Sequence, residues 1–223
     1  MKPARLVALT LLLLSLSPNI SPAGLIILGN LPATNDASGT SVDAGIANDG
    51  LNPQTNRPAI SFTMPTRAYP LQHVALRFRG YNTAAGDAAE VGLYLDNGND
   101  LPGTLGGSLL ISPSSGSNAA GQFNFVPSTP ISLAASTKYW VMISATYGSF
   151  EWAGSAPSIA PTSQVGVTFG KPVFFVGDLP RDATGVRSFE IVTSVPEPAM
   201  ATFMFAAACS LAASRRLAYG SIT

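Results

Sequence analysis

Glu90, Glu151 and Glu190 are the residues of this chain best suited to catalysis, because glycoside hydrolysis needs only two facing carboxylates about 5–10 Å apart. Each also falls on an outward strand position, where a solvated carboxylate is the simpler reading. A hydrolytic triad is harder to assemble. His73 is the sole histidine, it falls on the polar side of a strand beside Arg77, and no Gly-x-Ser-x-Gly elbow supplies a nucleophile. It reads as a solvated surface histidine, and no catalytic residue is assigned. One histidine and a single cysteine, Cys209, leave no zinc site of ordinary make-up, and no cofactor is expected. Asp96, Asn97, Asn99 and Asp100 crowd oxygen ligands around Gly98 and form a weak calcium candidate. The run lacks the full Asp-x-Asp-x-Asp-Gly pattern and its distal glutamate, so it reads first as a hairpin turn and no metal is expected. Binding is the more plausible activity. Tyr147 and Trp152 flank a short aromatic run that could stack on the apolar face of a sugar, although Phe150 and Trp152 at alternate positions also suit a core.

The elements that must position these residues are strands. Short alternating runs recur between clusters of Gly, Pro, Asn, Asp and Ser, and no amphipathic helical period of useful length intervenes. Residues 73–80 alternate with Val74, Leu76 and Phe78 on one side and His73, Arg77 and Arg79 on the other. Val91, Leu93 and Leu95 repeat the pattern and end at the Asp96-Asn97-Gly98 turn. Residues 25–28, 109–111, 123–125, 150–152, 173–176 and 187–192 supply further candidates. The strongest is 138–145, with Tyr139, Val141 and Ile143 on one side and Trp140 and Met142 on the other. A strand apolar on both sides belongs at the centre of a sheet or under partial cover. Residues 34–57, rich in Gly, Asn and Thr, read as a loose surface loop, and 157–163 as an exposed connection. The expected fold is all-β: an antiparallel two-sheet β-sandwich, jelly-roll-like, flanked by an N-terminal signal helix and a C-terminal short transmembrane helix.

Both ends of the chain carry an address. Lys2 and Arg5 precede an apolar stretch at 6–16, and Ser21-Pro22-Ala23 offers the small residues a signal peptidase reads, so 1–23 is expected to be removed. Near the other end, Val195-Pro196-Glu197-Pro198 is followed by an uncharged, largely apolar run at 199–214 and by Arg215-Arg216. A helix over 199–213 would span roughly 22 Å against a hydrocarbon core of about 30 Å, which makes it marginal as a permanent span. The arginine pair would stay cytoplasmic and leave the bulk of the chain outside. Pro198 removes a donor and restrains Glu197, so the motif stays extended and open to a processing enzyme. Once 1–23 and the residues after Glu197 are gone, eight basic residues face twelve acidic ones, a net charge of about −4 that argues against nucleic acid. Cys209 leaves with the tail, so the exported region at 24–194 folds without a disulfide.

The tail resembles a PEP-CTERM sorting signal. It departs from that pattern in an Ala-rich apolar run without Gly and in the seven residues after Arg216 (217–223). The resemblance implies an exosortase-type membrane enzyme of exopolysaccharide-producing Gram-negative bacteria as partner, with Val195, Pro196, Glu197, Pro198, Arg215 and Arg216 as recognition residues in a sorting and anchor segment at 195–216. The middle resembles the choice-of-anchor domains, type R. The resemblance rests on Leu28-Gly29-Asn30-Leu31-Pro32, Phe62-Thr63-Met64, Val91-Gly92-Leu93-Tyr94-Leu95-Asp96, and the run from Leu133 through Lys138-Tyr139-Trp140-Val141. It implies a surface β-domain without an established enzymatic activity. The expected function is that of an exported, non-catalytic cell-envelope or extracellular-matrix protein, associated with the membrane through its tail and with extracellular polysaccharide as a further partner. The alternative is a small envelope carbohydrate-active hydrolase using a carboxylate pair.

Overall fold

Alternation of apolar and polar side chains builds nearly every element of this chain as a strand. The computed structural model describes residues 24–45, 55–105, 110–111 and 121–194. Their strands are β1 Gly24–Gly29, β2 Ser38–Asp43, β3 Asn56–Thr63, β4 Tyr69–Arg79, β5 Ala88–Asp96, β6 Pro102–Leu105, β7 Leu110–Ile111 and β8 Gln122–Pro127. They continue with β9 Ile131–Leu133, β10 Lys138–Tyr147, β11 Ser149–Gly154, β12 Thr162–Ser163, β13 Thr168–Val176, β14 Leu179–Asp182 and β15 Phe189–Ser194. The only helical piece among the described residues is a 3-10 turn, Thr83–Ala85, capped by Asn82. The expected signal and transmembrane helices fall outside the described residues.

The strands form one antiparallel network in the order β11-β2-β3-β10-β5-β7-β8-β4-β15-β1-β12, with β13 and β14 beyond β3, β6 on β5, and β9 on β4. Phe78 and Arg79 of β4 also pair with β11, so the ladder from β11 round to β4 closes on itself. Two strands make the corners. β4 pairs with β15, β8 and β9 before its last two residues cross to β11. β8 pairs with β4 through residues 122–125 and with β7 through Val126 and Pro127. Closure of this kind leaves fewer bare strand edges to template aggregation.

The side chains enclosed by this circuit form the main core. Val74, Leu76 and Phe78 point inward from β4, while Arg77 and Arg79 point out, as the alternation requires. A register shift opposite Val192 and Thr193 leaves Gln72 as an extra residue between Leu71 and His73, which carries the inward set from Tyr69 and Leu71 over to Val74. Phe78 anchors an aromatic group, its ring centre 5.4 Å from Phe123, 5.8 Å from Phe125 and 4.8 Å from Phe150. Each large apolar side chain sealed here contributes about 1.5–3 kcal/mol relative to exposure. β10 lies between β3 and β5, and its Tyr139, Val141 and Ile143 fill the same core.

The described parts of 34–57, residues 34–45 and 55–57, include β2 and the start of β3 rather than a loose loop alone. Every residue of β2, from Ser38 to Asp43, pairs with β11, although only Val42 of that strand is buried. Asp36 grips Arg77 through both carboxylate oxygens, and Arg79 donates to its carbonyl. Arg187 holds β2 from the other side, donating to Thr40 Oγ1 at 2.6 Å and Ser38 Oγ at 3.3 Å. Pairing and charge hold β2, whose one buried side chain is Val42.

Candidate functional site

The residues singled out by their types do not converge. Glu90, Glu151 and Glu190 stand on β5, β11 and β15, three strands that are not hydrogen-bonded to one another. Glu151 is ion-paired with Arg79. Glu190 is partly buried, and desolvation raises its carboxyl above the usual range. His73 is partly buried rather than solvated, because β15 and β8 flank β4, and loss of water lowers its pKa.

The aromatic pair separates in the same way. Tyr147 is 54% exposed at the end of β10, with its ring against Gly86, where an added Cβ would lie 3.0 Å from Tyr147 Cε1. Trp152 is fully buried, and its indole N–H donates to the Ser188 carbonyl at 2.9 Å. Trp152 therefore offers no face to a sugar, which corrects its place in the expected contact site. Alternation with Phe150 puts it inside the closed circuit.

The Asp96–Asp100 run is a hairpin turn joining β5 to β6. Gly98 and Asp100 take positive φ of 85° and 61°, which Gly and Asp tolerate. Its oxygens are engaged: Asp96 Oδ2 accepts from Gly98 N–H at 2.9 Å, and Asn97 Oδ1 accepts from Asn99 N–H at 2.8 Å. Asp96 Oδ1 accepts from the Trp140 indole at 2.8 Å. Asp100 is paired with Lys138, and with Lys171 Nζ at 2.9 Å. Two ammonium groups therefore sit where the calcium candidate needed an unneutralised cage. Among the described residues, no group of three or more His, Cys, Asp or Glu is placed to hold a metal ion.

A different surface does gather binding chemistry. β13, β3, β10 and β5 lie side by side, and the side chains on their outer face form a second apolar cluster outside the main core. Ala59, Trp140 and Val173 are buried in it, with Tyr94, Leu101, Met142 and Phe175 packed around them and partly exposed. Register explains the grouping. One cross-strand row reads Val173, Ala59, Met142, Gly92, and the next reads Ser61, Trp140, Tyr94, Leu105. Phe175 stands opposite Arg57. The Tyr94 ring lies over Gly92, since a Cβ there would fall 2.5 Å from Tyr94 Cε2, and a larger residue would push the ring away.

A groove of about 230 Å³ on this face is lined by Arg57, Tyr94, Met142, Phe175, Asp178 and the Pro102–Gly103 start of β6. The Arg57 guanidinium lies 5.7 Å from the Phe175 ring centre and donates through Nη2 to the Gly177 carbonyl at 2.7 Å and to Asp178 Oδ1 at 2.9 Å. Arg57 Nε is buried without an acceptor among the described residues. Burial raises the Tyr94 hydroxyl pKa; Glu90 adds to that rise and Arg57 opposes it. The groove thus offers two aromatic walls and an edge carrying one donor and one acceptor of opposite charge. Sequence reading missed Arg57, Tyr94, Phe175 and Asp178 as a group. The available signal was the doubly apolar strand at 138–145, which demanded outer cover.

No family model and no curated protein matches this chain.

Proposed function

We propose that this chain is an exported, non-catalytic protein of the cell envelope or extracellular matrix of a Gram-negative-type bacterium. Its signal segment is removed by signal peptidase, and its tail is handled by an exosortase-type enzyme while it holds the protein at the membrane. The observation that carries the reading is the order at the tail: Val195-Pro196-Glu197-Pro198, an apolar run, then Arg215-Arg216. The exported region acts as a β-sandwich of jelly-roll type, with the β12-β1-β15-β4-β8 ladder as one layer and the β13-β3-β10-β5 face in the other. Association with exopolysaccharide is its activity. Engagement of Glu151 by Arg79 supports a binding role over a carboxylate-pair hydrolase. So does an outer face that joins aromatic rings to a charged edge.

The test is intact-mass spectrometry of the full chain expressed in cells with and without an exosortase-type enzyme. The expected result is loss of residues 198–223 only where the enzyme is present, abolished by Glu197→Ala. A chain that keeps Arg215 and Arg216 in enzyme-bearing cells would sink the sorting assignment.

A further inference from the structure

We infer, resting on the reading of this protein as polysaccharide-associated, that the groove between Tyr94 and Phe175 binds one neutral sugar ring of a longer glycan. A pyranose has an apolar C–H face and a rim of hydroxyls. The groove has the complementary division. Tyr94 and Phe175 stay partly exposed although they belong to an apolar cluster, and Met142 lines the groove with them. Aromatic rings with a polar handle suit a ligand that is greasy on one side and wet on the other. At the edge, Arg57 Nη2 and Asp178 Oδ1 stand 2.9 Å apart.

That edge selects the ligand class. A hydroxyl donates and accepts, so adjacent hydroxyls can meet the Asp178 carboxylate and the Arg57 guanidinium without displacing either. A carboxylated ring would bring a second negative charge against Asp178, whose side chain is fully exposed. The ion pair leaves the edge with no net charge to attract an acidic polymer. Size points to one unit of a chain rather than a free compact ligand: the groove holds about 230 Å³, below the roughly 300–1,000 Å³ of drug-sized ligand pockets. The rest of the glycan runs on across the surface.

The experiment is affinity electrophoresis of the full chain in detergent, through gels containing dextran, mannan, galactan or alginate. The expected result is retardation by at least one neutral polymer, insensitive to added salt and absent with alginate. Tyr94→Ala and Phe175→Ala each weaken retardation about fivefold, the loss of one ring contact. Asp178→Ala, which touches a fully exposed side chain, keeps the thermal unfolding midpoint and still weakens retardation. Val126→Ala, an exposed position on β8 that does not line the groove, changes nothing. Retardation undiminished in all three groove variants overturns the site and leaves polysaccharide association standing. Retardation by alginate alone overturns the neutral-ring assignment and likewise spares the association. Migration unchanged in every gel overturns both.

Discussion

Trp152 and Trp140 are both fully buried, yet they belong to two different parts of the molecule. Trp152 lies in the main core, and its indole ends on a backbone carbonyl of Ser188. Trp140 lies on the opposite side of the β10 ladder from Tyr139 and Val141, in a cluster with only two other fully covered members, Ala59 and Val173. Its indole ends on the Asp96 carboxylate, and the Lys138 ammonium stands 5.5 Å from its ring centre. Inside, apolar packing and a backbone acceptor surround the indole. Outside, a thin apolar layer depends on charged side chains for its rim. The inner region is sealed; the outer one keeps partly exposed aromatic surface beside charges of both signs.

The contrast breaks if the two tryptophans cost the same to remove. Trp152→Ala leaves a cavity inside a closed wall and is expected to destabilise by about 3–5 kcal/mol. Trp140→Ala removes a side chain whose surroundings can collapse or admit water, so its cost falls at or below the low end of that range, about 3 kcal/mol. Urea midpoints for the two variants, compared at a shared m-value, decide the matter. Equal shifts would make the outer cluster as structural as the core.

Asp96 tests the outer rim with a smaller effect. Asp96→Ala strands the buried Trp140 indole N–H and is expected to cost about 1–3 kcal/mol. Asp96→Asn keeps an acceptor and recovers most of that loss. Thermal unfolding of both variants separates the hydrogen bond from the charge, because a rim held mainly by the Lys138–Asp96 approach at 3.9 Å would leave Asp96→Asn as unstable as Asp96→Ala.

These two regions were not equally legible in the sequence. β4, β5 and β10 follow from period-two alternation, and Val74, Leu76, Phe78, Val91, Leu93, Tyr139, Val141 and Ile143 are buried as that pattern demands. β2 was hidden, since Ser38-Gly39-Thr40-Ser41 has no alternation to read; its place comes from pairing with β11 and from Arg187. Ile60 and Phe62 alternate visibly in β3, but Pro58 and the preceding polar stretch mask the start of that strand. The groove could not be read at all. Arg57 and Asp178 lie 121 residues apart in the chain and meet because β3 pairs with β13. Trp152 shows the converse: the preference of aromatics for sugars pointed outward, while simple alternation with Phe150 pointed inward, and alternation won.

His73 adds a third environment, partly covered on β4, and yields the smallest of the three effects. Desolvation lowers its pKa in the folded state below the unfolded value of about 6.5. Between those two values the unfolded chain binds more protons, so stability rises with pH there. The contribution is complete above about pH 6.5 and declines as pH falls toward the lowered folded pKa. The unfolding midpoint of the wild type is therefore expected to drop between pH 7 and pH 5 as measured by circular dichroism, and His73→Gln to flatten that limb by removing the only histidine. Asp36 works in a lower window: hydrogen bonding to Arg77 lowers its pKa, so its stabilisation persists until the pH falls below the ordinary carboxylate range. A His73→Gln variant with the wild-type slope from pH 7 to pH 5 would place this titration elsewhere.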